Sequence, residues 1–502
     1  MLQLRRSGDV PRLLAALASL YAIALSAAYF LGRTPKFRAE SAWFIFGALV
    51  LLAAVVQSRL GPAMEAGPAP DRMPPPLLLT VFVAGAFALY WSTLRLGLLS
   101  DDFVFASRAI HGDFWSSTSS TFFRPLESLL FAGLSGLFGR SEPVATHVVN
   151  LLLHAFNAFL VAALAARWGF ERRVGIAAGA IFLCFPASVE AVAWSSGVQD
   201  LLLTTTAVGF ALAVTSARPV AALVVAPLCL AMTLGTKETA VVAPVLAMLL
   251  VAPPISRRIV TAIAGAAIAV GAFALWRLSL VPRQPLPTRY ALKQIVSLTF
   301  GTLAEPFTRA ELGRVPALGI ALAVAAAAIG LAMVWRTRTR NDVNGALRAI
   351  GWTLVSVAPA YSLFFISNDL QGSRYLYLAS CGWSVLVASA FVPRAGHRPA
   401  ALAPLVAFLG IYAVGAQVHL RDWERAAALR DAVLARATTE VARSTCRPLG
   451  FTNLPDSVGG AYVFRNGFVE AMAAAGVAPG SVSVSATTGD CTVSALPAPP
   501  AP

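Results

Sequence analysis

Asp101 and Asp102 stand side by side just after an apolar run that ends at Leu99 and Ser100. Burial raises a carboxylate's pKa and a nearby cation lowers it, so such a pair can be tuned to take a proton from an attacking hydroxyl. The same two acids also suit a plainer task, ending a helix at a headgroup layer, and on these residues alone both readings stand. Two arginines could complete the chemistry. Arg124 heads Arg124-Pro125-Leu126-Glu127, and Arg374 opens Arg374-Tyr375-Leu376-Tyr377. A guanidinium is a planar fork of donors that matches a phosphate and can stabilise charge growing on it. With Tyr375 and Tyr377 beside it, Arg374 reads equally as an interfacial anchor. Glu190 stands in the otherwise apolar stretch Phe185 to Gly197. Lys237 and Glu238 are adjacent, and i,i+1 neighbours do not face each other on a helix, so each is expected to have its own partner. A structural ion pair or a topological marker is the alternative for them.

The elements that must position these residues are membrane helices. Of the 502 residues 57% are hydrophobic and 13% charged, with mean hydropathy +0.71. A soluble chain carries about 25% charged residues, so too few remain here to cover a surface in water. A formal charge of +15 would point to nucleic acid in a soluble protein. Here the arginines sit in short clusters between apolar runs, the pattern of cytoplasmic membrane loops, and no nucleic-acid partner is expected. Apolar runs fall near 13–31, 41–58, 77–95, 143–165, 173–188, 199–216, 219–235, 239–253, 259–279, 314–335, 346–366, 376–392 and 400–419. The expected fold is therefore an all-α polytopic membrane protein of about thirteen transmembrane helices. Arg5, Arg6 and Arg12 place the N-terminus in the cytoplasm, with the first span retained as a helix. Arg167/Arg172/Arg173, Arg257/Arg258, Arg336/Arg338/Arg340/Arg348 and Arg394/Arg398 fall on that same side. Arg33, Lys36 and Arg38 form the one cluster outside. An odd number of crossings leaves the chain outside from about residue 420. Three parts follow: two N-terminal helices and a cytoplasmic linker over 1–76, a core over 77–420, and a small mixed α/β domain over 421–502 with a disordered end. On this topology Asp101, Asp102, Arg124, Glu190, Lys237, Glu238 and Arg374 all lie at the outer face, and ionisable groups at membrane depth default to a functional reading.

The order and wording of these segments resemble the GT-C superfamily of polytopic membrane glycosyltransferases, above all the O-mannosyltransferase branch that carries tetratricopeptide repeats and its bacterial relatives. The resemblance is carried by Ser100-Asp101-Asp102, Arg124-Pro125-Leu126, His147-Val148-Val149-Asn150-Leu151-Leu152-Leu153-His154, Pro186 to Gly197, Lys237-Glu238 and Arg374-Tyr375-Leu376-Tyr377. It implies a hexosyltransferase that uses a polyprenyl-phosphate-linked sugar on the extracytoplasmic face of the cell (inner) membrane, among membrane lipids, with a protein, lipid or glycan as acceptor. It also implies that the acid pair carries the general base, with Glu190, Lys237, Glu238, Tyr375 and Tyr377 in support. The chemistry of the residues agrees: a lipid phosphate leaves without needing a proton, the acceptor hydroxyl must lose one, and Arg124 and Arg374 can hold the phosphate. The chain departs from the family where Val198 replaces its arginine and Phe185 its histidine, and no repeat of about 34 residues follows the last span.

Two other classes share the hydropathy. A transporter or flippase of lipid-linked glycans would place polar groups and broken helices near the midplane, often in repeated halves. A lipid-linked oligosaccharide polymerase or ligase would favour long outer loops rich in Arg and His. The argument requires no cofactor, although two adjacent acids can hold a divalent cation. His147 and His154 lie two helical turns apart on one face and read as packing or interhelical hydrogen bonding, so no metal ligands are assigned. Cys184, Cys229 and Cys381 fall in or beside spans, whereas Cys446 and Cys491 lie in the outer segment, where a disulfide between them could persist.

The arginine asymmetry gives a direct test. Cysteines introduced beyond residue 420 should react with a membrane-impermeant maleimide on intact cells, and cysteines in the loop 336–348 should not. Labelling of that loop from outside would put the acid pair on the wrong face.

Overall fold

A computed structural model describes residues 76–112, 124–139, 142–251, 256–280, 302–303, 340–359, 366–367, 369–392, 402–485 and 491–495. The expected spans at 13–31, 41–58 and 314–335, the linker, most of the outer stretch through Trp115 to Phe123, the start of the 336–348 loop and the tail from 496 lie outside the described residues.

The described chain is mostly helical. Helix α1 (Pro76–Tyr90) tightens into a 3₁₀ turn through Arg95. Two short helices follow, α2 (Asp101–Ile110) and α3 (Pro125–Phe138), before the long α4 (Glu142–Arg167). Helix α5 (Arg172–Cys184) stops at Phe185, because Pro186 lacks an amide hydrogen and forces its predecessor into an extended conformation. The chain then turns by 55° into 186–193, which includes α6 (Val189–Ala193). Next come α7 (Val198–Val214), α8 (Ala226–Leu234), α9 (Ala243–Met248), α10 (Arg257–Leu280), α11 (Arg340–Val357) and α12 (Tyr377–Phe391).

Among the described residues four helices are long and apolar enough to cross a membrane, or five with the bent pair α5–α6. This is a multi-pass membrane protein. The expected spans at 219–235 and 239–253 become shorter apolar helices, Ala221–Leu234 and Glu238–Met248, interrupted by the turn that carries Lys237. The bundle closes through small residues. A Cβ on Gly179 would strike Phe82 and the Ala158 carbonyl, and one on Gly382 would strike the Ala349 carbonyl. Buried polar groups inside it are matched across helices. His154 joins the Tyr377 hydroxyl at 2.7 Å and the Leu183 carbonyl at 3.1 Å, and Asn157 donates to the Leu201 carbonyl at 3.0 Å.

Helix α13 (Ala403–Arg443) corrects one expectation. The apolar run at 400–419 does not end at the expected boundary near 420 but continues to Arg443 as a single helix of 41 residues, about 60 Å long. No Gly or Pro occurs after Gly415 to break it. Its far end reaches the C-terminal domain, where β1 (Leu449–Thr452) lies between β4 (Val482–Val484) and β5 (Thr492–Ser494), parallel to both. A two-residue hairpin pairs β2 (Ser457–Val458) with β3 (Ala461–Tyr462). Helix α14 (Phe468–Ala474) follows a segment in which the Val463 and Phe464 amides donate to the carbonyls of Asp456 and Pro455. Phe451, Phe464, Phe468 and Met472 form the small core. A disulfide between Cys446 and Cys491, with Cα atoms 5.7 Å apart, ties the end of α13 to the start of β5.

Candidate active site

The acid pair opens α2, and the turn before it is held from every side. Arg430 of α13 donates to the carbonyls of Leu96 (2.6 Å) and Leu98 (2.7 Å). His147 of α4 reaches the Gly97 carbonyl at 3.2 Å, and the Trp194 indole donates to that of Leu99 at 3.1 Å. Gly97 lies at φ +67°, where a Cβ would meet the Arg430 guanidinium. Ser100 follows at φ +51° and ψ −119°, a conformation that costs an L-residue of order 1–3 kcal/mol and survives only where its surroundings over-determine it. Its amide donates to the Val463 carbonyl of the C-terminal domain at 3.0 Å.

This clamp gives the two carboxylates different environments. Asp102 is fully buried. Its Oδ2 accepts from the Leu99 amide at 2.8 Å, and its Oδ1 from the Ser196 amide (2.7 Å) and hydroxyl (2.5 Å). Burial pushes its carboxyl up to about 7, while those donors pull it back. Asp102 thus ties the α2 turn to the turn before α7. Asp101 is half-buried, and one of its oxygens accepts from the Asn466 side chain at 2.6 Å. Of the two, Asp101 is the less buried.

Behind the pair lies a set of interlocked ion pairs. Arg124, at the start of α3, donates to Glu238 at 3.1 Å. Lys237 donates to Asp200 of α7 at 2.5 Å, and its ammonium lies 4.5 Å from the centre of the Tyr375 ring. Both of those side chains are almost fully buried, and burial pulls the Lys237 ammonium down to about 8 against the pull of Asp200. Arg374 pairs with Glu190, and its guanidinium also donates to the hydroxyls of Tyr462 (2.9 Å) and Tyr375 (3.0 Å). It lies 4.8 Å from the centres of both the Trp194 and Tyr375 rings, with Asp200 3.9 Å from its Nε. Three cations and three carboxylates are thereby matched on one another. A buried pair of this kind fixes geometry more surely than it adds stability.

Asp101, Asp102, Arg124, Glu190, Lys237, Glu238, Arg374 and Tyr375 thus lie in or beside one network. Tyr377 does not join it and turns into the bundle against His154. Lys237 and Glu238 do have separate partners, Asp200 and Arg124. Asp200 itself, Gln199 and Glu127 were not singled out from sequence. Gln199 donates to the fully buried Glu127 at 2.7 Å. The tripeptide Val198-Gln199-Asp200 opens a helix that otherwise reads as an apolar span, and polar residues at a span's end were the available signal. Tyr462 and Asn466, from the C-terminal domain, were also missed. Among the described residues no three of His, Cys, Asp and Glu gather as a metal site. A site so built presents the Asp101 carboxylate beside a field of matched charges.

No family model matches the chain. Over 134 residues it is 38% identical to protein O-mannosyl-transferase Tmtc1 of Drosophila melanogaster, a match that takes in 23% of this chain and 15% of that protein. The chain therefore meets a small part of that relative's length.

The buried pair Arg374–Glu190 makes a prediction about stability. Arg374→Ala leaves Glu190 buried without its counter-ion and should destabilise the protein by about 3–5 kcal/mol. The double variant Arg374→Met/Glu190→Gln removes both charges and should cost much less. Thermal unfolding of the detergent-solubilised variants reads both; a double variant as unstable as Arg374→Ala would refute the coupling.

Proposed function

We propose that this protein is a membrane glycosyltransferase that moves a sugar from a polyprenyl-phosphate donor to a hydroxyl acceptor on the extracytoplasmic face of the cell membrane. The observation that carries the reading is the open carboxylate of Asp101 on a rigid, strained turn next to matched cations. The partial likeness to an O-mannosyl-transferase supports the same class, with mannose the first sugar to test.

In this reading Asp101 takes the acceptor's proton. The acceptor oxygen bonds to the anomeric carbon as the bond from that carbon to the phosphate oxygen breaks. The electron pair leaves with the lipid phosphate, which goes from one negative charge to two. No proton is needed on the leaving side, but charge must be stabilised there. Arg124 suits that task best, since its partner Glu238 is about a third exposed and can yield it. Lys237 and Arg374 are more deeply engaged, and contribute through their fixed charges and through the wall that Arg374 builds with Tyr375, Tyr462 and Trp194. Asp102 is a positioning residue. In this reading the core over 77–420 carries the chemistry and the small domain over 421–502 lies at the outer face.

The two acids should separate on mutation. Asp101→Asn keeps the shape and removes the base, so transfer of radiolabelled sugar from polyprenyl phosphate in membranes should fall by about 10²–10⁴ with the fold intact. Asp102→Asn turns an amide group toward a backbone N–H or a hydroxyl that needs an acceptor, so it should lower both transfer and thermal stability. Near wild-type transfer by Asp101→Asn would remove the general base from this account.

A further inference from the structure

The C-terminal domain could rest beside the site as a passive cap, but its contacts are made to the acid pair itself. We propose that Asn466 is a positioning residue for Asp101, so that this small domain completes the active site. The inference rests on the transfer reading above for its chemistry and on geometry for its placement.

Three hydrogen bonds run between Val463–Asn466 and Ser100–Asp101. The Ser100 amide donates to the Val463 carbonyl at 3.0 Å, the Asn466 amide donates to the Ser100 hydroxyl at 3.3 Å, and the Asn466 side-chain amide donates to Asp101 Oδ1 at 2.6 Å. The approach is close enough to require glycine next in the chain. Gly467 lies at φ +79°, and a Cβ there would collide with the Ser100 carbonyl oxygen and touch Phe103. On the other side the same segment is held to the ion-pair wall, where Tyr462 accepts from Arg374 and Arg465 donates to Gln371 at 2.9 Å and pairs with Asp456. The segment therefore bridges the turn that carries Asp101 and the loop that carries Arg374.

The chemistry explains why the residue is an amide. A neutral donor fixes one carboxylate oxygen without adding a second charge, and leaves the other oxygen to meet the acceptor hydroxyl. Ser100, strained at φ +51°, is held by the same segment, which accepts from its amide at Val463 and donates to its hydroxyl from the Asn466 amide. Displacing a reacting group by about 1 Å can cost about 10²-fold in rate. Loss of Asn466 should accordingly act on turnover while leaving donor binding alone.

Two measurements on the full chain test this. In hydrogen exchange followed by mass spectrometry, the segment Leu96–Phe103 should exchange about tenfold faster in Asn466→Ala than in wild type. Non-reducing peptide analysis should find Cys446 still joined to Cys491, which shows the domain folded. In membranes supplied with polyprenyl phosphate mannose, Asn466→Ala should lower kcat about 10- to 100-fold with donor KM within twofold of wild type. Asn466→Asp keeps the shape but sets a carboxylate against Asp101, and should lower kcat further than Ala does. Unchanged exchange and unchanged kcat in both variants, with an active wild type, would overturn the proposal and leave the transfer reading standing. Faster exchange in Asn466→Ala with a wild type that transfers from no polyprenyl phosphate sugar would uphold the docking and overturn the transfer reading.

Discussion

Everything at the candidate site depends on one short turn that would not hold its shape alone. From Leu96 to Leu99, four successive carbonyls accept from side chains of Arg430, His147 and Trp194, each on a different element. Ser100 then adopts a backbone conformation that an L-residue avoids, and Asp102 closes the turn by accepting from Leu99 behind it and Ser196 across it. Such strain persists only where surroundings impose it, and here the imposing groups come from the bundle, the long helix α13 and the C-terminal domain together. The gain is a carboxylate, Asp101, presented at a fixed place and orientation. Preorganisation of this sort is how a folded chain lowers a barrier without reorganising at the moment of reaction.

The matched charges behind the turn follow the same logic. Near a bilayer, single buried charges would be prohibitive, so Arg124, Lys237 and Arg374 each stand on a carboxylate. The pairs differ in how readily they open. Arg124–Glu238 is partly exposed, whereas Lys237–Asp200 is almost fully buried, and Arg374 is also caged by Trp194, Tyr375 and Tyr462. A newly formed lipid phosphate would draw most easily on the first. The deeper two hold α7, the 373–376 turn and the C-terminal domain in register around it.

Much of this was legible in the sequence because it is local. Apolar runs mark the long helices, and the adjacent acids mark the start of α2. Cys446 and Cys491 stand apart from the cysteines of the spans, and the structure joins them. What escaped is long-range. Asp200 looks like the end of an apolar helix until Lys237 arrives 37 residues later, and Asn466 gains a role only because the chain returns 365 residues after Asp101. Helix boundaries shifted for a physical reason too. Pro186 bends the chain inside the run 173–188, and α13 continues where hydropathy reads an end. Arg374 shows the limit most clearly: its residue type suggests a phosphate fork, yet only its surroundings reveal that Glu190 and two tyrosines already occupy that fork.

The most direct test of the central claim is a structure of the full chain in a lipid nanodisc with a non-hydrolysable polyprenyl phosphonate sugar. The account predicts the phosphonate within hydrogen-bonding distance of Arg124, the anomeric carbon facing Asp101, and an Asp102 still bound to Leu99 and Ser196. Density for the headgroup deep between the spans, away from Asp101 and Arg124, would contradict it and favour a protein that carries such lipids across the membrane.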